Sequence, residues 1–135
     1  MTRVLIVEDV AETRRWLGEI AAAAFPDCEI IEADSMRTGL AAAARQDCDI
    51  ALIDLGLPDG SGLEVLRSLR LVNAQAIPIV TTVMGDDAHI VAALSAGAQG
   101  YLLKEHPAGM LTRQLVQLAD GTPALSPPIA RPLME

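Results

Sequence analysis

Four short pieces of the chain carry side chains able to do chemistry. Glu8-Asp9, Asp54, Thr82 and Lys104 each stand just past a run of β-branched and aliphatic residues. Loops that follow buried strands are where an open α/β sheet keeps its reactive groups. Gathered there, three carboxylates, a hydroxyl and an amine make an acidic cation site with a nucleophile inside it. Carboxylates about 4 Å apart repel by roughly 4 kcal/mol at an effective dielectric near 20, so the trio calls for a divalent cation or a bound proton. Magnesium suits the set: it takes oxygen ligands, keeps several waters, and is held by one or two carboxylates alongside phosphate oxygens. The turn Asp54-Leu55-Gly56-Leu57-Pro58-Asp59-Gly60 offers a backbone carbonyl, best that of Gly56, as a further ligand. No His or Cys competes, which argues against zinc. With the negative charge lowered, a carboxylate can attack phosphorus to give an acyl phosphate. Lys104 then supplies a point charge and Thr82 a hydroxyl donor toward the new oxygens. A product carrying about −1.5 to −2 charge on mobile loops biases a two-state element, which describes a switch more than a metabolic enzyme.

Taken singly, each group has a plainer role. Asp54 could cap a turn and Glu8-Asp9 the next helix. Lys104 could be a solvated lysine, Thr82 a strand end, and Tyr101, the chain's single tyrosine, a core residue. The joint hypothesis rests on all of them falling at the ends of consecutive strands.

Those strands read as Val4–Val7, Glu29–Ala33, Asp49–Ile53, Ile77–Thr81 and Gly100–Leu103. Their near-continuous Val, Ile and Leu content, without polar alternation, predicts strands covered on both faces. Between them the apolar spacing approaches 3.6: Trp16, Leu17 and Ile20; Met36 and Leu40; Leu63, Leu66 and Leu69; Ile90, Val91 and Leu94 closed by Gly97; Met110, Leu111, Leu115 and Leu118 closed by Gly121. Pro107 suits the first turn of the fifth helix. Strict alternation with short, right-handed crossovers predicts a flavodoxin-like, doubly wound (βα)5 sandwich with a five-stranded parallel sheet. The common order, 2-1-3-4-5, sets the Glu8-Asp9 pair beside Asp54 at the switch point, with Thr82 and Lys104 on its other side.

The 135 residues, 51% of them apolar, allow one domain with a real core, assigned to residues 1–121. A net charge of −8 disfavours nucleic acid or anionic membrane as a direct partner. Cys28 and Cys48, without CxxC spacing, are expected as buried reduced thiols, and the absence of a long apolar run predicts a cytoplasmic protein. Three prolines within Pro123–Pro128, and another at 132, make residues 122–135 a linker or a short helix starting near Ser126.

In combination, Val4-Leu5-Ile6-Val7-Glu8-Asp9, Ile53-Asp54-Leu55-Gly56-Leu57-Pro58-Asp59-Gly60-Ser61-Gly62-Leu63 and Ala96-Gly97-Ala98-Gln99-Gly100-Tyr101-Leu102-Leu103-Lys104 resemble a bacterial response-regulator receiver domain, over about residues 3 to 120. The resemblance implies that Asp54 takes a phosphoryl group from a sensor histidine kinase. It places Asp9, Asp54 and the Gly56 carbonyl on Mg²⁺, with Glu8 assisting through water. Lys104 and Thr82 are implied to contact the phosphoryl group, and Tyr101 to swing inward when Thr82 moves. Such a domain assists its own phosphorylation and dephosphorylation without being an enzyme in the metabolic sense.

Three departures stand out. Glu8 replaces the Asp of many members. Val83 and Met84 follow Thr82, where Ala or Gly and then a polar residue are usual, so both are expected to modulate the rate. Glu105 follows Lys104 in place of proline, removing the residue that makes a cis bond inexpensive there. The Lys-acid ending and the tail Gly121-Thr122-Pro123-Ala124-Leu125-Ser126-Pro127 are similar to the LuxR/NarL subfamily, whose receivers lead into a DNA-binding helix-turn-helix. The expectation is therefore a piece cut from a longer transcription regulator, favoured over a short natural regulator, touching DNA only through that further domain and able to form a homodimer. Two alternatives remain at this point. One is a pseudo-receiver, a phosphorylation-independent protein-interaction module, for which Val83 argues best. The other is a cofactor binder in the same crevice, which the acidic first loop and the few aromatics disfavour.

Overall fold

Side chains of the apolar runs alternate between two cores, one on each face of a central sheet. In the computed structural model, which describes residues 2–45, 47–83 and 86–120, the strands are β1 (Arg3–Val7), β2 (Glu29–Ala33), β3 (Ile50–Asp54), β4 (Ile77–Thr82) and β5 (Gly100–Leu103). Leu5, Val7, Ala51, Ile53, Val80, Tyr101 and Leu103 face one core. Val4, Ile6, Ile50, Leu52, Ile79 and Leu102 face the other. That period of two is what a pleated strand buried on both sides requires.

The helices are α1 (Ala11–Ala24), α2 (Met36–Ala43), α3 (Gly62–Val72), α4 (Asp87–Ser95) and α5 (Ala108–Ala119). α1 and α5 cover one face with Leu17, Ile20, Leu111, Leu115 and Leu118. α2, α3 and α4 cover the other with Ala42, Ala43, Val65, Leu66, Leu69, Ile90 and Ala93. All pairings in the sheet are parallel, and the strand order is 2-1-3-4-5, as the alternation predicts. The fold is thus the doubly wound, flavodoxin-like sandwich. In register, Val7 lies between Ala33 and Ile53, Asp54 faces Thr81, and Thr82 faces Leu103.

Local chemistry fixes the helix ends. The Ser35 hydroxyl accepts the Thr38 amide at 3.0 Å while the Thr38 hydroxyl accepts the Ser35 amide at 3.0 Å, a reciprocal box opening α2. Asp59, from the loop after β3, adds a second cap by accepting the Met36 and Arg37 amides at 2.6 and 3.0 Å. Gly97 closes α4 with φ of +113°. Its amide reaches the Leu94 carbonyl and that of Ala98 the Ala93 carbonyl, the paired bonds of a Schellman ending.

Three expectations need correction or restriction. Asp54 and Thr82 are the last residues of β3 and β4, not loop residues beyond them, because their backbones still pair across the sheet. Pro107 caps α5 from outside, its extended ψ of 148° keeping it out of the first turn. Cys48 is buried but Cys28 only partly, since it lies in the turn after α1 with its thiol against the Ala21 carbonyl. A two-residue antiparallel pair, Gly56–Leu57 with Gly60–Ser61, was not anticipated within the turn after β3. The expectations for Met84, the Gly121 cap and the 122–135 tail lie outside the described residues. The peptide bond between Lys104 and Glu105 is trans.

Candidate functional site

The C-terminal ends of β1, β3 and β5 deliver Glu8-Asp9, Asp54 and Lys104 to one crevice. Glu8 continues β1, its amide donating to the Ala33 carbonyl at 3.0 Å, and Lys104 continues β5, its amide donating to the Thr82 carbonyl at 2.8 Å. Glu8, Asp9 and Asp54 each offer a carboxylate oxygen, and these atoms lie within 4.8 Å of one another. Glu8 is 1% exposed and Asp54 8%, whereas Asp9 faces solvent. The crevice therefore has a buried floor and an open acidic rim.

Both oxygens of each buried carboxylate are held. Glu8 Oε1 meets Lys104 Nζ at 2.7 Å, and Oε2 accepts the Val10 amide at 3.1 Å. Asp54 Oδ2 meets Lys104 Nζ at 3.3 Å, and Oδ1 accepts the Gly56 amide at 3.3 Å. Burial pushes the Glu8 carboxyl above its ordinary value. The Lys104 hydrogen bond, the Val10 N–H and the Lys104 charge oppose that shift, and the neighbouring Asp54 charge adds to it. Burial alone would pull Lys104 down, but the Glu8 hydrogen bond and the charges of Asp54 and Glu8 outweigh it, so the ammonium sits above its ordinary value. At neutral pH the lysine is a fixed positive charge.

The remaining residues are arranged around this core. Thr82 is buried, but its hydroxyl donates to the Val83 carbonyl at 3.4 Å and to Asp86 Oδ2 at 3.3 Å, and shares no hydrogen bond with Asp54. Tyr101 is 3% exposed and belongs to the core covered by α2, α3 and α4, whereas Val83 is 53% exposed. Gly62 crosses directly over the C-terminal end of β3, where a Cβ would fall 2.0 Å from the Asp54 carbonyl oxygen. Only glycine allows α3 to begin so close to that residue.

Sequence reading overlooked Arg14, Asp86 and His89. Arg14 donates to the Glu8 carbonyl at 2.8 Å and to Glu32 at 2.9 Å, tying the acidic loop to β2. Its position one turn into α1 was a usable signal. Asp86, N-cap of α4, and His89, which pairs with it, had none beyond their nearness to Thr82.

The response regulator receiver domain family matches residues 4–116. The chain belongs to this family. Among relatives of the receiver, the KDP operon transcriptional regulatory protein KdpE of Escherichia coli is 40% identical over 85% of this chain and 50% of its own length. The nitrate/nitrite response regulator NarL of Escherichia coli is 33% identical over 91% of this chain and 57% of its own length. The receiver thus spans about half the length of these curated relatives. Among solved structures, a LuxR-family two-component response regulator from an Aurantimonas species superposes with a TM-score of 0.83 at 26% identity, covering 97% of this chain and 94% of that one.

The acidic cluster of the receiver fits a hard divalent cation. Its donors are all carboxylate oxygens, one of them exposed, and no His or Cys is among them. Among the described residues no helix is long and apolar enough to cross a membrane.

Proposed function

We propose that this receiver is a phosphorylation-driven switch in which Asp54 accepts a phosphoryl group from the phosphohistidine of a sensor kinase. The observation that carries the reading is the convergence of Glu8, Asp54 and Lys104, with Lys104 Nζ within 3.3 Å of both carboxylates. An oxygen of Asp54 forms the new bond to phosphorus as the phosphorus–nitrogen bond of the donor breaks, returning imidazole to the kinase. Asp9, Asp54 and the Gly56 carbonyl would hold Mg²⁺, with Glu8 assisting through water. The cation would neutralise charge on the transferring phosphoryl oxygens. Lys104 contributes a second, permanent positive charge beside Asp54. The Thr82 hydroxyl closes on the phosphoryl group, and Tyr101 follows it within the core.

Val83 and Met84 set how readily water and donor reach Asp54. The output is transcriptional, through a DNA-binding domain beyond these residues, and the protein works in the cytoplasm, where phosphorylation favours a homodimer. The interaction-only alternative gains no support from the site, because carboxylates and lysine stand in mutual contact.

Intact mass after treatment with acetyl phosphate and Mg²⁺ tests the reading. Wild type should gain one phosphoryl group and Asp54→Ala none. Failure of the wild type to gain it, with a folded protein, would reject the proposal.

A further inference from the structure

The switch hydroxyl is already engaged by partners other than Asp54. Thr82 has one O–H, and it is shared between the Val83 carbonyl at 3.4 Å and Asp86 Oδ2 at 3.3 Å. The other Asp86 oxygen is bound by His89 Nδ1, so a chain runs from His89 through Asp86 to Thr82. Asp86 and His89 also line a 230 Å³ cavity with Leu55, Gly56, Gly60 and Ser61, the turn that follows Asp54. The acceptor thus borders the approach to the phosphorylation site.

A hydroxyl proton can point at one strong acceptor at a time. We infer that Asp86 is a positioning residue that competes with the phosphoryl group for the Thr82 hydroxyl, and that His89 braces Asp86 in the competing orientation. This rests on the receiver-switch reading and deepens it by assigning a restraint on the unphosphorylated state. An ionised acceptor forms the stronger type of hydrogen bond, so Asp86 holds Thr82 until a more highly charged acceptor appears on Asp54. His89, 67% exposed, braces from the solvent side and can be removed without opening the core.

The test is titration of the full chain with beryllofluoride in excess Mg²⁺, followed by backbone amide shifts of β4 and β5. Asp86→Ala should tighten apparent beryllofluoride affinity by about 3- to 10-fold, the scale of one partly exposed hydrogen bond. His89→Ala should shift it in the same direction by less. Asp86→Asn keeps the shape and one neutral acceptor oxygen but loses the charge, so it should tighten affinity measurably but by less than Asp86→Ala, whereas a general packing role for the side chain would leave this isosteric variant at the wild-type value. In a Thr82→Ala background, Asp86→Ala should have no further effect. Unchanged or weaker affinity in both Asp86→Ala and His89→Ala overturns the restraint, as does an Asp86→Ala effect that survives without Thr82. Wild type that fails to respond at any beryllofluoride concentration overturns the receiver-switch reading itself, and the restraint with it.

Discussion

Lys104 is tied more closely to Glu8 than to Asp54: its ammonium lies 2.7 Å from Glu8 Oε1 and 3.3 Å from Asp54 Oδ2. Glu8 is the more deeply buried of the two carboxylates, so it gains most from a neighbouring positive charge. The lysine therefore has a structural task apart from the proposed phosphotransfer. It neutralises the floor of the crevice and fixes its own Nζ beside the acceptor.

Replacing Lys104 by Ala separates these tasks. The Glu8 carboxylate would keep the Val10 N–H and lose its cation, which should lower unfolding stability by about 1–3 kcal/mol in metal-free buffer. The acidic cluster would then bind Mg²⁺ more tightly, because a competing charge has left, and millimolar Mg²⁺ should recover much of the lost stability. Urea unfolding of wild type and Lys104→Ala, each with and without Mg²⁺, checks both effects. Equal Mg²⁺ responses in the two proteins would contradict the account.

In the proposed switch, Val83 bears on the lifetime of the phosphorylated state. It is apolar, 53% exposed, and directly follows Thr82, and under the proposed function its side chain obstructs water on the way to an acyl phosphate. Val83→Ala should speed loss of the phosphoryl group from Asp54 by about 3- to 10-fold, equivalent to roughly 1 kcal/mol in the barrier. The decay of intact phosphorylated mass measures it. An unchanged rate would mean that the valine does not obstruct attack.

The five apolar runs made the sheet legible, because continuous Val, Ile and Leu segments separated by helical spacing admit few arrangements. Strand order then brought Glu8, Asp9 and Asp54 together without any structural knowledge. Less legible were contacts that cross between loops. Nothing in the spacing of Asp59 announces that it caps α2 from 22 to 23 residues away, and nothing in Asp86 announces its bond to Thr82. Such pairs are set by how far each loop extends above the sheet, which periodicity does not encode. The preference of Lys104 for Glu8 was equally hidden, since it depends on relative burial.

The Asp59 cap gives the fold a defined acid sensitivity. The Met36 and Arg37 N–H groups hold its carboxyl below the ordinary 3.8, so the unfolded chain takes up the proton first as pH falls. Stability from this group is complete above pH 3.8 and is lost as pH drops through the lower folded value. Asp59→Ala should therefore be less stable than wild type at pH 6, with the difference shrinking below pH 3.8. Parallel urea titrations across that range test it. A difference that persists undiminished in acid would show that the carboxylate charge is not what anchors α2.

Two glycines predict opposite outcomes for the same substitution. At Gly62 an added Cβ meets the Asp54 carbonyl oxygen at 2.0 Å and the Ile53 side chain at 3.0 Å, and the first of these is backbone that cannot turn aside. Gly62→Ala must push the start of α3 off the end of β3, displacing the acceptor. A loss of more than about 3 kcal/mol is expected, with a matching fall in phosphoryl uptake in whatever fraction folds. At Gly109, within the first turn of α5, nothing lies within 4 Å of the new atom. There Ala restricts the unfolded chain and suits the helix, so Gly109→Ala should raise stability by about 0.5–1 kcal/mol. Thermal and urea unfolding of the two variants side by side decides the matter. Comparable destabilisation by both would show that the close approach of α3 to Asp54 is not the reason for glycine at 62.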